Sequence, residues 1–251
     1  MRLLLWLLLA VLAAPVLLFL VCAVSAVFVG KDESPSVSHW YQALFAAADA
    51  VALRLCRIRM TLEGGDRLPE GPFLLVCNHR SNFDPMVTSE LLCSRRIAFI
   101  SKRENFGIPI FGRILHRCGY MAIDRENPRR ALATIEEAAR QIKQTGLPMA
   151  VYPEGARSRT GELLPFHDGV YKIAKKAGVP VVTAVITGTQ QAARNVPLRA
   201  TRVTLMIADV ISADEAAALS SHELSRRSQA VMESALEFLD GEQHETIQDP
   251  V

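Results

Sequence analysis

Hydrophobic and polar positions along the chain change period several times, and each change predicts an element. Residues 3–29 are uncharged and almost wholly apolar, interrupted only by Pro15 and the small polar Ser25. At about 1.5 Å per residue, a helix of that length reaches roughly 40 Å, enough to cross a hydrocarbon core of about 30 Å with tilt. A secretory signal would carry an apolar stretch of only about 7 to 15 residues, so an N-terminal membrane-anchoring helix over residues 1–30 is expected. Arg2 on one side and Lys31 on the other leave its orientation open by charge. Beyond a polar break, Trp40, Leu44, Ala48, Val51 and Leu55 recur at helical spacing. That stripe predicts an amphipathic helix and connection over residues 31–60, seated either in the core or at the membrane interface.

From residue 57 onward, strand and helix patterns alternate. Residues 57–62 read as an edge strand closed by the turn Glu63, Gly64, Gly65, Asp66. Residues 73–77 form a continuous apolar run behind Gly71 and Pro72, the pattern of a strand buried on both faces. Further strands are predicted over 97–101, 120–123, 148–152, 179–186 and 203–208. The clearest intervening helix is 128–144, where Asn127 and Pro128 supply the start and Gly146 lies just past the end. Its inward stripe is Leu132, Ile135, Ala139 and Ile142. Alternation of this kind predicts an α/β fold with a mostly parallel central sheet flanked by helices, in one domain over residues 61–240. Residues 212–239 read as helical, and 241–251 as a polar tail.

Composition narrows the partners. A chain of 251 residues, 50% hydrophobic, holds one sizeable domain plus an appendage. A formal net charge of +2 is too small for a nucleic-acid binder, so any anion site must be local. Five cysteines, with no Cys-x-x-Cys pair, argue against a disulfide framework and a zinc site and for a reducing compartment.

The candidate chemistry begins where the 73–77 strand stops. Asp84 before Pro85 is a helix-start signal, with Asp84 as the capping acid, so His79 sits in a turn between a strand end and a helix start. Ligands collect at that edge of open α/β sheets. A neutral imidazole there can take a proton from a hydroxyl while a carboxylate fixes its tautomer. His244 and Asp249 have the same spacing and the same following proline, but no strand before them and no helix after. Three basic residues follow other predicted strands: Lys102, Arg125 and Arg157. Parallel strands emit such loops at one edge, so the three can converge on a phosphorylated ligand. Glu154 and Gly155 precede Arg157 in a tight turn, where Glu154 either touches a substrate hydroxyl or pairs with an arginine. No third His or Cys lies at ligand spacing from His79 and Asp84, so no metal is expected.

Four blocks carry a resemblance. They are NHRSNFD at 78–84, a Gly119 block ending in Asp124 and Arg125, YPEGARS at 152–158, and VPVV at 179–182. In this order they resemble the glycerolipid acyltransferase family that includes the 1-acyl-glycerol-3-phosphate acyltransferases. The resemblance implies that residues 61–240 form an acyltransferase domain, that His79 and Asp84 are the catalytic pair, and that Lys102, Arg125, Glu154, Gly155 and Arg157 bind the acceptor. It implies no bound cofactor; the acyl donor would be acyl-CoA or acyl carrier protein, and the acceptor lysophosphatidic acid. Tyr152 and Ala156 replace the usual Phe and Thr, and His167 and Asp168 stand where many members carry lysines. That last change loses positive charge and leaves a phosphate-free acceptor, such as a lyso-ornithine lipid, as the second choice. A membrane-bound hydrolase or a silent lipid-binding protein are the readings from other classes. The expected location is the inner, cytoplasmic membrane, with the bilayer as partner and the catalytic domain facing the cytoplasm.

Overall fold

A strand that is apolar at every position needs cover on both faces, and the chain provides it by placing such strands at the centre of its sheet. The computed structural model describes the backbone of residues 2–30, 36–196 and 198–248, and within these the side chains from 13 to 239. Helices α1 (Arg2–Val27) and α2 (His39–Leu55) precede strands β1 (Ile58–Glu63) and β2 (Leu74–Cys77). There follow α3 (Asp84–Leu91), β3 (Ala98–Lys102), α4 (Phe111–Arg117), β4 (Met121–Ile123), α5 (Pro128–Thr145) and β5 (Met149–Val151). The chain continues with α6 (Lys172–Ala177), β6 (Val181–Thr187), α7 (Thr189–Asn195), β7 (Thr201–Ile211), α8 (Ala213–Ala218) and α9 (Ser221–Gln248).

The strands lie in the order β1-β7-β6-β2-β5-β3-β4. All neighbours run parallel except β6 and β7. The expected α/β fold is therefore present, and each predicted strand is found with its ends shifted by a few residues. Every residue of β2 and β6 is buried, whereas β7 begins by alternating buried and more accessible positions. Helices α1, α2 and α4 pack together, with α3 against α2. Helix α5 packs on α6, α6 on α8, and α9 lies against β6 and β7.

Helix α5 starts and ends where its sequence signals place it. The Asn127 side chain accepts from the Arg129 and Arg130 amides, and Gly146 closes the other end. Its inward face is shorter than the apolar stripe, because no residue before Ile135 is buried and Leu132 is exposed. The face is completed instead by Ala138 and Gln141, whose amide donates to the Gly119 carbonyl at 2.9 Å. On α2 the stripe splits as well. Leu44 is buried while Trp40 and Leu55 are exposed, and Asp49 and Leu53 complete the buried face. Helix α9 runs on to Gln248, through residues expected to fray. The His244 side chain and Asp249 lie outside the described residues, as do the side chains of residues 1–12 that make up much of the expected anchor. Among the described residues no helix is long and apolar enough to cross a membrane.

Candidate active site

Strand β2 passes into the site through a side chain that imitates backbone. Asn78 is fully buried, donates to the Ile186 carbonyl at 3.0 Å and accepts from the Ile186 amide at 2.7 Å. It thereby extends the β2–β6 pairing by one step and fixes where the chain leaves the sheet. His79 is the next residue.

Asp84 does not cap α3. Phe83 holds that position, and the carboxylate reaches back over the turn instead. Its Oδ2 accepts from His79 Nδ1 at 2.8 Å, the Arg80 amide at 2.6 Å and the Ser81 amide at 2.7 Å. Its Oδ1 accepts from Thr189 Oγ1 at 2.5 Å. A carboxylate that is 0% exposed needs donors to compensate for lost water, and four surround this one. Thr189 arrives because Gly188 has a φ of +87° and packs so tightly that a Cβ there would lie 2.1 Å from the Arg202 carbonyl oxygen. Only glycine lets β6 turn into α7 that close to β7.

Because Oδ2 is an acceptor, the imidazole hydrogen belongs on Nδ1, which leaves Nε2 free to accept. The ring stacks on Tyr152 at 4.3 Å between centroids and 17° between planes. Its side chain is 18% exposed. Such an imidazole can act as a general base. The neighbouring thiol has no comparable access to chemistry. Burial, with Asp84 and Glu154 adding to it, pushes the Cys77 pKa well up and keeps it protonated.

The loop after β5 closes the other side. Glu154 is 4% exposed, and its partners are two backbone amides rather than an arginine: His79 N at 2.7 Å and Leu164 N at 2.8 Å. Burial raises its pKa, while the two amides oppose that shift. The His79 carbonyl in turn accepts from the Ser158 amide at 2.8 Å. Both backbone groups of His79 are thus tied to the 154–158 loop, which neighbouring β2 and β5 bring alongside. The Gly155 amide is turned to the Tyr152 carbonyl at 3.0 Å. Arg125 Nε lies 4.0 Å from the point where a Gly155 side chain would begin. Arg157 is exposed beside Ser158, and Lys102, also exposed, is in register with Ile123 at the same sheet edge.

The structure therefore joins His79 to Asp84 and Glu154 by hydrogen bonds, sets Arg125 near Gly155, and leaves Arg157 and Lys102 exposed. Sequence reasoning missed Thr189, Asn78 and the stacking of Tyr152. The one local signal for Thr189 is the Gly188 that ends an all-buried strand. Among the described residues no group of three His, Cys, Asp or Glu side chains is placed to hold a metal ion.

The family model described as Acyltransferase matches residues 59–187. The 1-acyl-sn-glycerol-3-phosphate acyltransferase of Cocos nucifera is 36% identical over 140 residues, covering 56% of this chain and 45% of that protein. The Haemophilus influenzae enzyme of the same name is 35% identical over 116 residues, 46% of this chain and 48% of that protein. The Escherichia coli enzyme is 29% identical over 172 residues, 68% and 70% of the two chains. The chain thus spans about half the length of the first two relatives. Among solved structures, the 1-acyl-sn-glycerophosphate (LPA) acyltransferase PlsC from Thermotoga maritima superposes with a TM-score of 0.65 at 27% identity, covering 79% of each chain. With a family match over about half its length that takes in His79, Asp84 and the whole 154–158 loop, this chain belongs to the acyltransferase family.

Proposed function

We propose that the protein transfers a fatty acyl group from a thioester, acyl-CoA or acyl carrier protein, to the free hydroxyl of 1-acyl-glycerol-3-phosphate, giving phosphatidic acid. His79 Nε2 takes the hydroxyl proton, and the alkoxide oxygen attacks the thioester carbonyl carbon. The C–O bond forms, the C–S bond breaks, and the proton held on His79 passes to the leaving thiolate, restoring the neutral imidazole. Asp84 keeps the imidazole in the tautomer that can accept and stabilises the imidazolium that forms. Arg125 and Arg157, with Lys102 at the rim, receive the acceptor's phosphate. Glu154 and Gly155 contribute by shaping the loop around His79. The observation that carries this reading is the 2.8 Å contact between His79 and a fully buried Asp84 at the edge where the basic loops emerge. Relatives named as acyltransferases for 1-acyl-sn-glycerol-3-phosphate favour the phosphorylated acceptor.

The test is acyl transfer from one thioester to a panel of lysolipids by wild type and His79→Ala. The variant is expected to lose about 10² to 10⁴ in rate, as for removal of a general base. A folded His79→Ala protein with wild-type turnover refutes the mechanism. Thioester hydrolysis that ignores every lysolipid would make the protein a hydrolase. We propose further that α1 anchors the protein in the inner, cytoplasmic membrane with the catalytic domain toward the cytoplasm. The apolar run of residues 3–29 and the exposed Leu17, Phe19, Leu20 and Phe28 support this. A protein lacking residues 1–30 that stays wholly with the membrane after a high-salt wash would count against α1 as the anchor.

A further inference from the structure

We infer that His167 is a head-group determinant, an imidazole that faces Arg125 across the Gly155 turn and helps receive the phosphomonoester of the lysolipid acceptor. The inference rests on the acyl-transfer reading above. Gly155, at φ +69°, follows the glutamate that holds the His79 amide, so this turn borders the proposed catalytic pair. A Cβ on Gly155 would fall 2.8 Å from His167 Nε2 and 2.9 Å from its Cδ2, with Arg125 Nε at 4.0 Å. Two nitrogen-bearing side chains from different loops therefore approach one point, and the missing side chain of Gly155 is what leaves room between them.

The backbone that carries the imidazole is tied on both sides. The His167 amide donates to the Pro153 carbonyl at 2.9 Å, and its own carbonyl accepts from Val170 at 3.3 Å. The adjacent Asp168 carboxylate pairs with His222 Nδ1 on α9 at 2.9 Å and also interacts electrostatically with His167. Both His167 and Arg125 are exposed and open to a ligand. A phosphomonoester accepts several hydrogen bonds at once, matching a guanidinium fork plus an imidazole N–H.

The test compares wild type with His167→Ala and His167→Gln on lysophosphatidic acid and on a phosphate-free lysolipid. His167→Ala is expected to raise the KM for lysophosphatidic acid about tenfold with a smaller effect on kcat, and to narrow the preference between the two acceptors by a similar factor. His167→Gln, which keeps an N–H donor, should recover part of that preference. Equal losses on both acceptors, or an unaltered KM for lysophosphatidic acid, would overturn the assignment. Inorganic phosphate serves as a competitor. Strong competition with no loss of acceptor preference in His167→Ala would assign the site to a free anion and also overturn it. Direct binding of lysophosphatidic acid to the resting protein, weaker in His167→Ala, supports the assignment without turnover. A wild type that binds this lipid but acylates neither acceptor would refute the acyl-transfer reading while the binding comparison still decides His167.

Discussion

Thr189→Val offers a sharp test of how the proposed catalytic pair is held. Thr189 Oγ1 is the only side-chain hydroxyl among the four donors described around Asp84, and it alone serves Oδ1. Valine keeps the shape of the side chain and removes the donor. A hydrogen bond to a charged group contributes about 1.5 to 3 kcal/mol, and here the acceptor is fully buried, so water does not replace the hydroxyl. Two backbone amides still hold Oδ2, so the carboxylate stays near its place, while Oδ1 is left buried without its donor and the pair is less tightly fixed. The expected result is a fall in kcat of about ten- to a hundredfold with little change in KM, as 1.4 kcal/mol corresponds to about a factor of ten. Thr189→Ser, which retains the hydroxyl, should stay within about threefold of wild type. The assay is thiol release from an acyl thioester in the presence of a lysolipid, with thermal melting recorded to separate unfolding from slow chemistry. In an Asp84→Asn background, Thr189→Val should cost less than about twofold more, because the two residues act on one imidazole. A wild-type kcat for Thr189→Val, or the same loss whether or not Asp84 is present, refutes the reasoning.

Glu154→Gln should lower kcat about tenfold, since one backbone amide, His79 N or Leu164 N, would then face an NH₂ group in place of a carboxylate oxygen. Wild-type activity in that variant would mean the loop is held without Glu154. Asp49→Asn addresses pH. Burial, reinforced by Glu90, pushes the Asp49 pKa up to about 8, so the folded protein keeps a proton that the unfolded chain releases near pH 4. Stability therefore falls as pH rises between about 4 and 8, by up to about 1.4 kcal/mol per unit, and levels off above. Melting of wild type should drop more steeply than that of Asp49→Asn between pH 5 and 8; parallel slopes would exclude Asp49 as the source.

Local signals settled a good part of this protein before any contact between distant residues entered. The apolar run ahead of Asn78, the Asn127 and Gly146 ends of α5 and the strand-helix alternation each depend on a few neighbouring residues, so their patterns transfer directly to the fold. The turn between His79 and Asp84 is local in the same way, and the two side chains do meet. Tertiary structure alone decided what surrounds them. Thr189 stands 105 residues from Asp84 and Glu154 stands 75 from His79, and no periodicity links positions brought together by neighbouring strands. The same holds for the burial of Asp49, the exposure of Leu132 and the seat of His167 against Gly155. Periodicity reports which residues share a face; what that face meets depends on how the whole sheet is assembled.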